Sequence, residues 1–167
     1  MKLYLLRHGI AAEPGTAGIR TDSERPLISE GREKLHRVTA AMQAMELSFD
    51  LILSSPFLRA RQTAEIVADA LKARKRMCFD DELACGGNVR DLVQRLARIR
   101  PVPESVLLVG HEPDLSELVS LLCSGETRLT VGFKKGGLCR LEVVTLRPGR
   151  CATLVWLLTP KQMALMI

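Results

Sequence analysis

Residues 3–12 of the chain read LYLLRHGIAA. The run Leu3–Leu6 is continuously apolar, which is typical of a strand that is covered on both faces of a parallel sheet. It stops at Arg7, His8 and Gly9, and the first two of these residues are costly to bury without partners. We therefore expect a buried strand whose carboxyl end opens into a functional pocket.

Two further apolar runs, Leu51–Leu53 and Val106–Val109, also end in polar residues. Ser54-Ser55 and then Arg59 follow the first run, and Gly110-His111-Glu112 follows the second. If the three runs are neighbouring parallel strands, their carboxyl ends share the sheet edge at which open α/β proteins bind ligands. Two histidines and two arginines would then converge.

Amphipathic stretches between these runs predict helices, which makes the fold class α/β. We predict them at 31–46, from Pro56 with Ser55 as its cap, at 89–99, and at 114–123 with Asp114 and Glu117 in capping-box spacing. Beyond Gly125, LCRLEVVTL at 138–146 and CATLVWLL at 151–158 predict an antiparallel hairpin. The segment from Ile10 to Ile28 reads as a long loop, and such loops are often functional.

The chain has 167 residues, of which 47% are hydrophobic and 26% charged, and this composition predicts one domain spanning residues 1–167. The net charge of +5 favours anionic partners, whereas an aromatic content of 4% makes nucleic acid an unlikely ligand. Five cysteines without a CxxC pair indicate free thiols. With no signal peptide or membrane span recognisable, we expect a soluble cytoplasmic protein.

The two kinds of cationic residue near the expected pocket can be sorted by position. Of the three histidines, His8 and His111 follow strands, whereas His36 lies in a charged helical stretch and reads as a surface residue. Arg59 and Arg61 are two positions apart on a helix, about 200° in azimuth, so only one can face the sheet edge. We choose Arg59, which is nearer the start of the helix.

The motifs that carry these residues resemble the histidine phosphatase superfamily, which has the phosphoglycerate mutase-like fold. They are LRHGI at 6–10, SSPFLRARQTAE at 54–65 and VGHEP at 109–113. The short chain and DSERPL at 22–27 are most similar to the SixA-type phosphohistidine phosphatases. The resemblance implies a three-layer α/β/α sandwich with a mostly parallel central sheet and an antiparallel edge.

The resemblance also implies catalytic roles. His8 would attack phosphorus as a neutral imidazole, with its other nitrogen fixed by an acceptor such as a backbone carbonyl, and would carry the phosphoryl group. Arg7 and Arg59 would bind phosphoryl oxygens through charge-assisted hydrogen bonds, and His111 would donate a further one. Gly9 would let the backbone pass close to the ligand.

Three further residues have two open interpretations. By resemblance, Arg25 would be an additional phosphate contact and Asp22 a residue at the pocket edge that orients a basic group or the loop. Both could instead belong to an ordinary solvated loop. Glu82 is a possible general acid, but Asp80, Asp81 and Glu82 also read as a solvated acidic turn before a short strand. An imidazole leaving group, with a pKa of about 6.5, would need such an acid far less than an alkoxide.

The resemblance therefore predicts a metal-independent phosphatase without a cofactor, acting on a phosphorylated histidine-containing phosphotransfer protein. Phosphate and other oxyanions should enter its pocket, and no membrane partner is expected. One alternative is a small-molecule phosphomonoesterase of the same superfamily, and another is a non-catalytic phosphate-binding module. The scattered carboxylates form no recognisable metal-binding motif.

Overall fold

The computed structural model describes residues 1–167 and contains one sheet of six strands. The strands are β1 (Lys2–Arg7), β2 (Leu51–Ser54), β3 (Met77–Phe79), β4 (Ser105–Gly110), β5 (Leu138–Val143) and β6 (Ala152–Leu158). The α-helices are α1 (Ser29–Ala44), α2 (Leu58–Ala70), α3 (Val89–Ala97), α4 (Asp114–Ser124) and α5 (Pro160–Met163). Short 3₁₀ helices occupy Asp22–Glu24, Arg74–Arg76 and Asp81–Leu83.

The strand order across the sheet is β3-β2-β4-β1-β5-β6. The first four of these strands are parallel, and β5 runs antiparallel to both β1 and β6. The three apolar runs of the sequence therefore lie side by side at the centre, and the predicted hairpin is added at one side. A mostly parallel sheet with an antiparallel edge is confirmed.

Alternate residues of β1 enter different cores, because successive side chains of a strand point to opposite faces. Leu3 and Leu5 pack with α3 and α4, whereas Tyr4 and Leu6 pack with α1, α2 and α5. All four are at most 4% exposed. The central strands thus read as continuous apolar runs because helices cover both faces, which confirms the three-layer arrangement.

Two predicted helix caps are wrong, although α4 begins at Asp114 as expected. The α2 helix begins at Leu58 rather than at Pro56, since Phe57 is still extended, and Ser55 accepts from Phe57 N at 3.2 Å without capping the helix. The capping box expected from Asp114 does not form at α4. Glu112 instead accepts from Ser116 N at 3.1 Å.

The acidic turn at 80–82 follows the short strand β3, whereas the sequence pattern placed the strand after the turn. Asp80 accepts from Glu82 N at 2.9 Å and so caps the 3₁₀ helix that replaces the expected solvated turn. The 10–28 segment is a loop, tied at its base by the bridge between Ala11 and Leu27. None of the helices is both long and apolar enough to cross a membrane.

Candidate active site

Polar strand ends meet at one edge of the sheet. Because β1 and β2 both pair in parallel with β4, the residues that follow the three strands lie together. His8 N donates to Gly110 O at 3.1 Å, and Ser55 N donates to Val109 O at 2.9 Å. The ring centroids of His8 and His111 are consequently 5.1 Å apart.

The His8 ring is 5% exposed, and the backbone selects its tautomer. Its Nδ1 lies 2.7 Å from Gly9 O. A carbonyl can only accept, so Nδ1 carries the proton and Nε2 has the lone pair. Burial, aided by the charges of Arg59, Arg7 and Lys135, lowers the pKa of His8 to about 4 against the opposing effect of the Gly9 hydrogen bond. His8 is therefore a neutral imidazole near pH 7, which is the form that can attack phosphorus.

Arg59 lies directly against the nucleophilic nitrogen. Its Nε donates to His8 Nε2 at 3.3 Å, and the residue is 2% exposed on the first turn of α2. Arg61 is exposed and pairs with Glu65 at 2.9 Å instead. The structure thus places Arg59, and not Arg61, in the pocket.

Arg7 contributes a second guanidinium from the end of β1. Its Nη1 donates to Phe133 O at 2.7 Å, whereas its Nε is buried and has no hydrogen-bond partner in the chain. Burial lowers the pKa of Arg7, and the charge of Glu112 opposes that shift. An arginine nevertheless stays protonated in proteins, so Arg7 Nε–H is an available donor beside His8.

His111 is 1% exposed and is held by Ser55, whose Oγ lies 2.8 Å from its Nε2. Its Nδ1 is buried and has no partner in the chain. Burial, followed by the charges of His8 and Arg59, lowers the pKa of His111 to about 3. The ring is neutral, and if the Ser55 hydroxyl donates to Nε2, then Nδ1 carries a proton for a ligand.

The long loop reaches the site through Asp22. Arg59 Nη1 and Nη2 donate to the carbonyl and Oδ2 of Asp22 at 2.7 and 2.8 Å. Arg25 Nε donates to Asp22 Oδ1 at 2.8 Å, and its Nη1 donates to Ala12 O at 2.8 Å. Burial tends to raise the pKa of Asp22, but the hydrogen bond and charge of Arg59 and the charge of Arg25 bring it below its ordinary value. Asp22 is thus an ionised carboxylate on the guanidinium of Arg59.

The structure holds the Glu82 carboxylate against α3. Its Oε2 accepts from Asn88 N at 2.8 Å, and its Oε1 lies 3.7 Å from Arg95 Nη1. The first contact holds the start of α3, because Asn88 caps that helix, and the second reaches Arg95 in its last turn. The carboxylate therefore has a structural explanation, and its hydrogen bond and ion pair go to α3 and its cap rather than to His8 or His111.

Gly9 also has a packing reason to lack a side chain. A Cβ on Gly9 would lie 2.7 Å from Leu35 Cδ1 and 3.2 Å from Leu27 Cδ2. Gly9 N also donates to Thr63 Oγ1 at 3.1 Å. The missing side chain thus lets α1 pack against the nucleophile segment and keeps Gly9 O in place for His8.

Three groups in the site were not foreseen from the sequence. Ser55 was interpreted as a helix cap, although the second of two serines after a strand could have indicated a pocket residue. Phe133 O was not identifiable, because a backbone carbonyl leaves no residue-specific signal. Cys85 Sγ, 3.2 Å from Arg59 Nη2, comes from a loop whose path the sequence pattern does not reveal.

Comparisons with known proteins point to one family. The family model described as "Histidine phosphatase superfamily (branch 1)" matches residues 3–84. The phosphohistidine phosphatase SixA of Escherichia coli is 35% identical over 130 residues, which cover 76% of this chain and 77% of that protein. An uncharacterized protein of Picosynechococcus is 39% identical over 143 residues, or 85% of each chain. A structure of the protein histidine phosphatase SixA complexed with tungstate superposes with a TM-score of 0.82 at 29% identity, covering 96% of this chain and 98% of that one.

The fold and these relatives define a phosphatase, and the chain belongs to the histidine phosphatase superfamily. Within that superfamily it is of the SixA type, with the phosphoglycerate mutase-like α/β fold.

Proposed function

We propose that the protein removes the phosphoryl group from a phosphohistidine side chain of a histidine-containing phosphotransfer protein, with His8 as the nucleophile. The names of its SixA relatives support this substrate class. The observation that carries the proposal is the neutral His8, whose Nε2 lone pair faces Arg59 Nε and whose Nδ1 proton is held by Gly9 O.

In the first step, His8 Nε2 attacks phosphorus in line, and the bond from phosphorus to the substrate imidazole breaks. If the substrate ring carries a proton on its other nitrogen, it leaves as neutral imidazole and needs no proton from the enzyme. His8 becomes a phosphohistidine that keeps its Nδ1 proton on Gly9 O, and its ring is then cationic. Water attacks phosphorus in the second step, and His8 leaves again as a neutral imidazole.

The oxygens of the phosphoryl group would be bound by Arg7, Arg59 and His111. Arg7 Nε and His111 Nδ1 support this role, because each is a buried polar atom without a partner in the chain. Leaving such donors unpaired is costly, and a phosphoryl group would satisfy both. Tungstate, the oxyanion bound in the SixA structure, supports the expectation that phosphate and similar oxyanions enter this pocket.

The nearby carboxylates favour cleavage of a P–N bond over a P–O bond. Asp22 is paired with Arg59, Glu82 holds Asn88 N, and both oxygens of Glu112 accept from Ser116. An alkoxide leaving group needs an acid, whereas a protonated imidazole does not.

We further propose that residues 1–167 act as one histidine phosphatase domain, and that it works in the reducing cytoplasm, where its five cysteines stay as thiols.

The test compares dephosphorylation of a phosphohistidine-bearing phosphotransfer domain with that of a panel of phosphate monoesters, for wild type and Glu82→Gln. The proposal predicts fast P–N cleavage that survives Glu82→Gln and resists EDTA. Preference for an ester, lost in Glu82→Gln, would instead make the protein a small-molecule phosphomonoesterase. Tight oxyanion binding without turnover of any substrate would indicate a non-catalytic module.

A further inference from the structure

A basic cavity of about 700 Å³ lies beside the candidate active site and shares Arg7 with it. Ten residues line the cavity, six of which are cationic and none acidic. The cations are Arg7, Lys34, Arg37, Lys134, Lys135 and Lys161. A cavity of this volume is far larger than one phosphoryl group needs, so it can accept a second group of the substrate.

One wall of the cavity is tied to the nucleophile segment by backbone hydrogen bonds. Gly136 N donates to Arg7 O at 3.0 Å and to His8 O at 3.1 Å, and Arg7 N donates to Gly137 O at 3.1 Å. The turn that carries Lys134 and Lys135 is therefore fixed against the end of β1. Its two lysines therefore stand beside the reacting centre, Lys134 exposed and Lys135 half-buried.

The opposite wall comes from α1 and α5. Lys34 and Arg37 are three residues apart on α1 and so share one helix face, and Lys161 lies on α5, which packs against α1. Pro160 of α5 lies 3.2 Å from the position that a Cβ on Gly136 would occupy, so the two walls also meet. Three separate chain segments thus direct positive charge into one space.

Most of this charge is unbalanced within the protein. Among the five cations of the cavity other than Arg7, only Lys34 forms an ion pair, with Glu30 on its own helix. Clustered like charges repel one another and attract anions strongly in a concave site. A protein-borne phosphohistidine brings neighbouring side chains with it, and acidic ones would meet these cations as the phosphoryl group reaches His8.

We propose that this basic cavity binds acidic side chains of the protein substrate that flank its phosphohistidine, and so selects phosphohistidine proteins with an acidic surface. This inference rests on the proposed function, because it names the substrate feature that the same site recognises. Electrostatic recognition of this kind acts mainly on encounter and affinity, and it weakens as salt is raised.

The experiment uses two synthetic peptides, each phosphorylated on one central histidine and flanked either by Asp and Glu or by Asn and Gln. At low ionic strength, wild type should favour the acidic peptide by about tenfold in kcat/KM, mainly through KM, and added salt should reduce that preference. The Arg37→Ala/Lys161→Ala variant should bring the preference to within about twofold. Its hydrolysis of phosphoramidate, which is too small to extend from the phosphoryl site to Arg37 and Lys161, should stay at the wild-type rate.

The matched control is Lys75→Ala/Arg98→Ala, which removes the same charge from exposed positions near the start of β3 and β4, at the sheet edge opposite the site. It should keep the wild-type preference. Equal hydrolysis of both peptides by wild type, or a preference that survives Arg37→Ala/Lys161→Ala, would overturn the inference and leave the proposed function standing. Failure of wild type to hydrolyse phosphoramidate and both peptides would overturn the proposed function, and the inference with it.

Discussion

Acidification should leave the nucleophile active well below the pH at which an ordinary histidine is protonated. The pKa of His8 is lowered from 6.5 to about 4, first by burial and then by the surrounding cations. At pH 6.5 an unshifted histidine is half protonated, whereas a group with a pKa 2.5 units lower is roughly 0.3% protonated. The fraction of neutral His8 should thus fall to one half only near pH 4.

The assay follows kcat/KM for phosphoramidate, corrected for its spontaneous hydrolysis in acid, together with an NMR titration of the His8 ring. His8→Asn assigns the signal. The fall in kcat/KM and the shift of the ring signal should both have their midpoint near pH 4, with no midpoint near 6.5. A midpoint near 6.5 in both would refute the argument that burial and the neighbouring cations keep His8 neutral.

The same shift makes the folded protein sensitive to acid. As pH falls from 6.5 towards 4, the unfolded state takes up a proton on His8 that the folded state excludes. The contribution of His8 to the free energy of unfolding should therefore be fully present above pH 6.5. Below that pH it should fall by about 1.4 kcal/mol per pH unit, roughly 3 kcal/mol in all. Urea unfolding should show a shallower acid loss for His8→Asn than for wild type, and equal slopes would contradict the reasoning.

Four substitutions, with Arg61→Ala as a control, test individual contacts of the site. Ser55→Ala should lower kcat about tenfold with little change in the far-UV circular dichroism, because His111 loses the hydroxyl that fixes its tautomer. An unchanged kcat would show that this contact has no role in turnover. Arg59→Ala should lower kcat/KM at least about a hundredfold and weaken tungstate binding in calorimetry, whereas Arg61→Ala should be nearly silent; equal losses would mean that the wrong arginine was assigned. Asp22→Asn should tighten tungstate binding roughly fivefold, since it removes an anion worth about 1 kcal/mol from the guanidinium of Arg59, and weaker binding would contradict that competition. Glu82→Gln should keep the rate on phosphoramidate while lowering the melting temperature, and a large loss of rate would restore Glu82 as a proton donor.

The sheet and the meeting of its strand ends were predictable because each central strand is a short apolar run followed at once by polar residues. A continuous apolar run such as Leu3–Leu6 needs helices on both faces of its sheet. The polar residues that follow it can be buried only where they find hydrogen-bond partners or a ligand. Arg59 and Arg61 could be told apart because two residues that are two positions apart on a helix point in nearly opposite directions. These inferences need only the geometry of regular elements.

The details that the sequence did not reveal depend on contacts between distant segments. Asp22 meets Arg59 across 37 positions of the chain, and Ser55 meets His111 across 56. Glu82 read as a candidate acid because no local pattern shows that its oxygen holds Asn88 N. The packing of Leu35 against Gly9 is likewise a contact between distant segments, which no local pattern shows.

The central claim is that His8 Nε2 carries the phosphoryl group during turnover. The direct measurement is rapid quenching of wild type with phosphoramidate, followed by peptide mapping under alkaline conditions and NMR assignment of the phosphorylated ring nitrogen. The account predicts an acid-labile phosphoryl group on His8 Nε2, because Nδ1 is committed to Gly9 O. A phosphoryl group on Nδ1, on another residue, or on none during active turnover would contradict it.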